Sequence, residues 1–354
     1  MYYKNFVNSI ESFGPYESNP VMVVGVSGGI DSLALVFLAK DCLHSINGKV
    51  IALTVNHNLR KEAFDEALSV QKLLQQNDIE HHILDWHHDK IVSNIQEKAR
   101  EARLELLTDW CNKHNILHLM LAQHSQDQAE TVLIKICRGS GLNGLTGMPA
   151  VNIVNKIRVI RPFLSFSKSQ LKDVLLARTN WWVEDPSNDN PKFMRTAARK
   201  LLNSTNLLKL VNVKSRKKEI LVQRMNLLAE NLTRVRSFLE KEAARHMVRM
   251  VKIFPEGYLL IDYQNFSKLD KEMSLTILSA CLVTISNEHV ARPRLASLER
   301  IWNSLSHLES KSFTLWKCKI KLSISKNIIE VFPELSTSKK FIPLMPLAQK
   351  QFDC

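Results

Sequence analysis

Short apolar runs and helix-period stripes alternate along the first half of the chain. Val21–Val26, Val50–Val55, His82–Trp86 and Leu117–Ala122 are apolar or β-branched stretches bounded by polar or glycine turns, and they predict strands. Between them, Asp31–Leu43, Glu62–Gln76 and Ile95–His114 carry apolar residues at helical spacing. Strands alternating with helices of that length predict an α/β fold with a parallel sheet covered on both faces. In such a sheet, ligands bind beyond the carboxyl ends of the strands. Three polar segments fall there: residues 27–32, 54–60 and 122–131.

The pattern changes beyond about residue 212. Leu221, Met225, Leu228, Leu232, Val235 and Leu239 are spaced 4-3-4-3-4, which predicts a long amphipathic helix with a narrow seam. That seam suits packing within the chain or between two copies, so a homodimer is open. Further on, Trp316, Cys318, Ile320, Leu322 and Ile324 alternate with lysine and serine, a half-buried strand for which Ile328–Phe332 is the hairpin partner. Nine of the ten glycines precede residue 150. A Gly-rich α/β part thus gives way to a helical one. The expected organisation is a nucleotide-binding catalytic domain at 1–212, a smaller α-rich domain with a short β-hairpin at 213–335, and a polar tail at 336–354.

Within the first part, Val23–Ser32 runs from strand into a Gly-Gly turn and closes on an acid and a hydroxyl. Gly28 and Gly29 let backbone amides approach an anion, and Asp31-Ser32 starts a helix whose N-terminus favours phosphate. Neither the Gly-x-x-x-x-Gly-Lys-Ser/Thr loop nor the dinucleotide Gly-x-Gly-x-x-Gly is present. An acid stands where a P-loop would carry lysine, which suits Mg²⁺ beside a leaving pyrophosphate. An ordinary strand-to-helix turn is the bland reading, but it rarely combines serine, two glycines, aspartate and serine.

Other motifs follow in order. Asn56-His57-Asn58-Leu59-Arg60 offers polar edges to adenine or ribose after the second strand. His124, Asp127 and Glu130 lie within one strand-to-helix turn, where carboxylates can hold Mg²⁺ through oxygen. Arg138-Gly-Ser-Gly-Leu-Asn-Gly-Leu145 packs three glycines into a segment that reads as a turn against substrate or as a flexible linker. Arg195 and Arg199, one helical turn apart, form a fork for phosphate or carboxylate. Glu97, Arg100 and Arg103 share a helix face, which also reads as an exposed ion-paired surface.

Composition narrows the partner. The formal net charge is +13, which points first to a polyanion such as nucleic acid. Basic residues Lys214, Arg216, Lys217, Lys218, Arg224, Arg234, Arg236, Arg245 and Arg249 crowd the long helix and its approach. The six cysteines are scattered with no Cys-x-x-Cys, against disulfide, zinc or iron–sulfur frameworks. No apolar run approaches a membrane span and Met1–Pro20 lacks a signal-peptide core, so a cytoplasmic location is expected.

Ser27–Ser32 resembles the Ser-Gly-Gly-x-Asp-Ser signature of the N-type ATP pyrophosphatase (PP-loop) superfamily, whose members cleave ATP between the α and β phosphates and transfer AMP to a substrate oxygen. Five further segments resemble tRNA(Ile)-lysidine synthases. These are Val55–Arg60, Ala122–Thr131, Arg138–Leu145, Arg161-Pro-Phe-Leu with Asp185-Pro-Ser-Asn188, and Arg195–Arg199. Two departures stand out: Gln126 replaces an aspartate and Thr196 an asparagine. The resemblance implies that ATP adenylates the C2 oxygen of the wobble cytidine in the CAU anticodon of tRNA(Ile). Free lysine then displaces AMP, giving lysidine and switching decoding from AUG to AUA. It also implies ATP contacts from Ser27, Gly28, Gly29, Ile30, Asp31, Ser32, Asn56 and His57, catalysis by Asp31, His124 and Asp127, and Mg²⁺ on Asp31 and Asp127. His124 or a nearby carboxylate would take the lysine proton. The tRNA would meet Arg100, Arg103, Arg138, Arg195, Arg199, Lys217 and Lys218. Two alternatives remain: a tRNA thiolase of the same fold, for which the chain lacks paired cysteines, and a catalytically degenerate RNA-binding homologue.

Overall fold

The computed structural model describes residues 2–58, 62–88, 95–184, 194–202, 219–286, 292–307 and 312–334. The chain divides into two compact units, Met1–Gly139 with Gly144–Ala229 and Ser140–Asn143 with Glu230–Cys354. Among the described residues no helix is long and apolar enough to cross a membrane.

In the first unit, helix α1 (Tyr2–Ser12) leads to β1 (Val21–Gly25), α2 (Ile30–His44), β2 (Lys49–Asn56), α3 (Glu62–Gln75), β3 (Glu80–Asp85), α4 (Ile95–Lys113), β4 (His118–Met120) and α5 (Ser125–Cys137). The short α6 (Leu142–Leu145), β5 (Val151–Val154), β6 (Ile157–Ile160), α7 (Lys168–Leu176) and α8 (Met194–Leu202) follow. Every strand and helix expected between residues 21 and 122 is present, with ends shifted by a residue or two. The sheet order is β3-β2-β1-β4-β6-β5. All neighbours run parallel except β5, which returns antiparallel along β6. The β5–β6 hairpin was not anticipated, because its runs are short and its turn is Asn155-Lys156 rather than an Asn-Gly signal. Both turn residues take positive φ, 48° and 70°.

This order explains where a ligand belongs. β1 has β2 on one side and β4 on the other, so the connections leave β1 and β4 toward opposite directions of the sheet. The crevice beyond such a switch point is the usual binding position in open α/β sheets. Helix α2 is the wall behind it. Its residues from Ser32 to Ala39 are all buried, as are Cys42 and Leu43, which fits a helix apolar on every side.

Helix α9 (Glu219–Met250) belongs to the first unit up to Ala229 and to the second beyond it. It is longer than the 221–239 seam, and the seam is not continuously buried. Leu221 is covered, while Leu228 and Val235 are 39% and 50% exposed. Burial in α9 instead falls on Leu221, Ala229, Ala243 and Met250. Small residues there permit close approach, and the middle of the helix has no fully buried large side chain.

The second unit continues with β7 (Val251–Ile253), β8 (Leu259–Asp262), α10 (Tyr263–Phe266), α11 (Lys271–Ser286), α12 (Leu295–Ser306), β9 (Ser312–Leu315), β10 (Cys318–Ser323) and β11 (Ile328–Pro333). The expected hairpin is present as β10 and β11, paired from Cys318↔Pro333 to Ser323↔Ile328. It is part of a larger antiparallel sheet of order β7-β8-β11-β10-β9. Cys318, Ile320 and Leu322 enter a core with Ile277, Leu278 and Leu282 of α11, while Lys319 and Lys321 stay exposed. Among the described cysteines, Cys42, Cys111, Cys281 and Cys318 are buried, Cys137 is exposed, and all are free thiols.

Candidate nucleotide and metal site

Two strand-to-helix junctions meet at the switch point. At the first, β1 ends and Ser27–Gly29 turn into α2. Gly28 has φ 81°, a conformation side chains rarely adopt. Ser32 folds back over the turn, its Oγ accepting from the Ser27 N–H at 3.1 Å and donating to the Gly29 carbonyl at 3.0 Å. Gly29 caps α2 from an extended conformation, φ −74° and ψ 164°, with no side-chain hydrogen bond to the first turn. Among the described residues the first-turn amides therefore have neither an intrahelical nor a side-chain acceptor, the arrangement that receives phosphate. Ile30 begins the helix, with its side chain against the main core.

Asp31 stands in that first turn. Its Oδ1 is buried and has no hydrogen-bond partner among the described residues. Burial raises its pKa, and Asp127 raises it further, while His124, Lys168 and Arg199 pull it down. A desolvated carboxylate beside a second one is a site short of positive charge.

At the second junction, His124 caps α5. Its Nδ1 accepts the Gln126 N–H at 3.2 Å, and Asp127 Oδ2 accepts the His124 N–H at 3.0 Å, closing a capping box. That bond leaves Nδ1 unprotonated and puts the ring proton of the neutral form on Nε2. Nε2 faces Asp31 Oδ2 at 3.6 Å, and Nδ1 lies 3.7 Å from Asp127 Oδ2. The buried ring thus separates the two carboxylates and fixes their spacing. Gln126, the departure from the family pattern, contributes here through its backbone.

Other expected contact residues fall into two groups. Asn56 is buried and committed to its own loop: its amide donates to Asn58 at 2.8 Å and Asp85 at 2.9 Å, and its carbonyl accepts from Asn58 N. Next to it, the His57 ring meets Trp86 edge-on. Arg199 pairs through Nε with the fully buried Glu130 at 2.7 Å, joining α8 to α5. Arg100, Arg103 and Arg195 gather nearer the crevice. Desolvation, then the charges of Arg195 and Arg103, lowers the pKa of Arg100, while Asp127 opposes. Arg103 reaches the Gly25 carbonyl at 3.5 Å. Arg138 is exposed beyond α5, with Nη2 on the sulfur of Met194 at 3.4 Å. Arg60, Asp185, Asn188, Lys217 and Lys218 lie outside the described residues, as do the 212/213 boundary and the tail.

Some contacts, though made mostly by residues in segments the sequence singles out, are not themselves visible in it. Arg161 is buried, donates to the Pro149 carbonyl at 3.0 Å and Asn152 at 2.6 Å, and is lowered to about 10 by burial with help from Arg100. Gln128 brackets Met148, donating to its carbonyl at 3.0 Å and accepting its N–H at 2.7 Å, which fixes the chain three residues past Leu145. Lys168 opens α7 within electrostatic reach of Asp31. Only through-space proximity reveals these.

Comparison with known proteins identifies the family. The pattern of the PP-loop domain family matches residues 2–206. A tRNA(Ile)-lysidine synthase of Orientia tsutsugamushi (strain Boryong) is 36% identical over 325 residues, covering 92% of this chain and 73% of that protein. One from Wolbachia pipientis wMel is 34% identical over 355 residues, covering 98% and 77%. Among solved structures, the U34-tRNA thiolase NcsA from Methanococcus maripaludis superposes with a TM-score of 0.50 at 19% identity, over 64% of this chain and 78% of that one. That likeness is one of fold.

Proposed function

The chain belongs to the tRNA(Ile)-lysidine synthase family of PP-loop proteins, and on that premise we propose the roles its residues take in making lysidine. The enzyme uses ATP to adenylate the C2 oxygen of the wobble cytidine in the CAU anticodon of tRNA(Ile), and the ε-amine of free lysine then attacks C2 and displaces AMP. The single observation that carries the assignment of parts is the open amide cradle of Gly28–Ser32 facing the Asp31–His124–Asp127 group.

The triphosphate lies on the first-turn amides of α2, whose dipole favours the charge building on the departing pyrophosphate. The residues fit a Mg²⁺: Asp31 offers a buried, unsatisfied oxygen and Asp127 a second carboxylate. Mg²⁺ takes one or two protein carboxylates and completes its shell with water and phosphate. When bound, it would neutralise charge on the leaving group.

Lysine has an ordinary pKa of ~10.4 and must shed a proton before it attacks. His124 is poorly placed to accept it, because Nδ1 already takes the Gln126 N–H and Nε2 carries hydrogen toward Asp31. A carboxylate that does not hold the metal is the remaining acceptor, and His124 braces Asp31 and Asp127. The cytidine is read as a splayed single-stranded base, with Arg100, Arg103, Arg138 and Arg195 as phosphate contacts; Lys217 and Lys218, proposed as further contacts, lie outside the described residues. Cytoplasmic action and a homodimer remain part of this proposal.

The decisive experiment incubates the protein with ATP, labelled lysine and an isoleucine tRNA bearing the CAU anticodon. Label in RNA and stoichiometric AMP are expected. ATP consumption that needs a sulfur donor instead of lysine would overturn the reading.

A further inference from the structure

The turn at Gly28 is held from outside by a segment that the chemistry does not use. The Val183 N–H donates to the Gly28 carbonyl at 2.9 Å. A methyl group built on Gly28 would lie 2.8 Å from Cγ2 of Val183 and 2.8 Å from Cγ2 of Val70 in α3. Two branched side chains therefore press on the one loop residue with left-handed backbone, φ 81°. The Val183 carbonyl also lies 4.0 Å from where a Gly29 Cβ would stand. The segment has its own anchor: Trp182 and Val183 pack on the main core, and Lys172 of α7 sits over the Trp182 ring at 5.8 Å.

A phosphate cradle works only when its amides point the right way before the nucleotide arrives. From inside, the loop is tied by Ser32 to Ser27 and Gly29. From outside, Val183 supplies both a hydrogen bond and a wall. We propose that Val183 is a positioning residue for ATP, a strap that acts through Gly28 to hold the cradle in its binding conformation. It touches no reacting atom. This rests on the reading that Ser27–Ser32 binds the triphosphate.

The test compares full-length Val183→Ala and Val183→Ile with the parent protein, scoring ATP Kd by equilibrium dialysis, KM for ATP, lysine and tRNA, and melting temperature. Val183→Ala is expected to weaken ATP about tenfold in both Kd and KM, with lysine and tRNA KM unchanged. Val183→Ile keeps the branched Cβ and should restore ATP binding to within about twofold. Gly28→Ala adds an independent readout. If the contact is direct, the ATP affinity it costs should be smaller in the Val183→Ala background, where one clash is gone. Unchanged ATP affinity in Val183→Ala would overturn the strap, as would an activity loss that follows melting temperature while every KM stays put. A parent protein that binds ATP yet transfers no lysine would sink the functional reading, and the Kd comparison would still judge the strap. A parent that binds no ATP would end both.

Discussion

The two junctions at the switch point are built alike and finished differently. Both follow a buried parallel strand next to its sheet partner, and both turn directly into a helix. At the start of α5 the helix end is closed: His124 and Asp127 exchange hydrogen bonds with the backbone. At the start of α2 it is left open, with glycine at the cap and no side chain answering the first turn. A capping side chain is worth only a few tenths of a kcal/mol over glycine at that position. Leaving α2 with glycine at the cap therefore costs little and leaves its first amides open. On the proposed reading, the closed junction is a rigid mount for carboxylates and the open one the receptor they face.

Four changes press on this contrast, from the largest expected effect down. Asp31→Asn keeps the shape of the open junction and removes its charge. Pyrophosphate release with tRNA and lysine should fall at least ~100-fold, and a near-normal rate would refute the metal-ligand role. Gly29→Asp closes the open junction artificially. The backbone there suits any residue, and a new Cβ would meet nothing nearer than 3.7 Å. Melting temperature should hold or rise by a few tenths of a kcal/mol in stability, while ATP affinity drops about tenfold or more because a fixed anion occupies the cradle. Improved stability with intact ATP binding would show the cradle lies elsewhere. His124→Ala opens the closed junction, with an expected cost of about 1–2 kcal/mol in chemical denaturation. Activity should fall beyond what the stability loss explains, since Asp31 and Asp127 lose their spacer. His124→Asn, which can still cap, should recover the stability and only part of the rate.

The smallest effect uses a second buried histidine as a control. His81 lies in the sheet with Nε2 on Thr54 Oγ1 at 2.8 Å, and no carboxylate beside it. Burial, then the neighbouring His82, lowers its pKa from 6.5 to about 4. The folded protein then resists protonation that the unfolded chain accepts below pH 6.5. Stability is fully present above that value and falls as the pH drops toward about 4. From pH 7 to 5.5 the loss attributable to His81 should be about 1 kcal/mol. A His81→Gln variant whose acid sensitivity equals that of the parent would remove His81 as the cause.

Much of the first sheet was legible because its strands are short apolar runs bounded by turns, as in Val21–Val26, and its helices are long apolar-rich segments between them, as in Asp31–Leu43. The Ser27–Ser32 turn, proposed as the phosphate loop, stood out for a different reason: its glycines, acid and hydroxyl are adjacent in sequence as well as in space. Side-chain commitments were not legible. Asn56 reads as a nucleotide contact until Asp85, a strand away, takes its amide. Arg199 reads as a fork for substrate, yet Glu130 on another helix takes its Nε. The second sheet was only partly legible. Its β10–β11 hairpin alternates cleanly, whereas β7 and β9 are too short for a period to register.

The pairing of Glu130 with Arg199 has an evolutionary corollary. Glu130 is wholly enclosed, and its other oxygen finds no hydrogen-bond partner among the described residues. Losing the arginine alone would strand a negative charge in a dry interior, a penalty of about 3–5 kcal/mol, whereas swapping both for well-fitted apolar neighbours is often nearly neutral. Drift at these two positions is thus expected to come in tandem, each locked until the other yields.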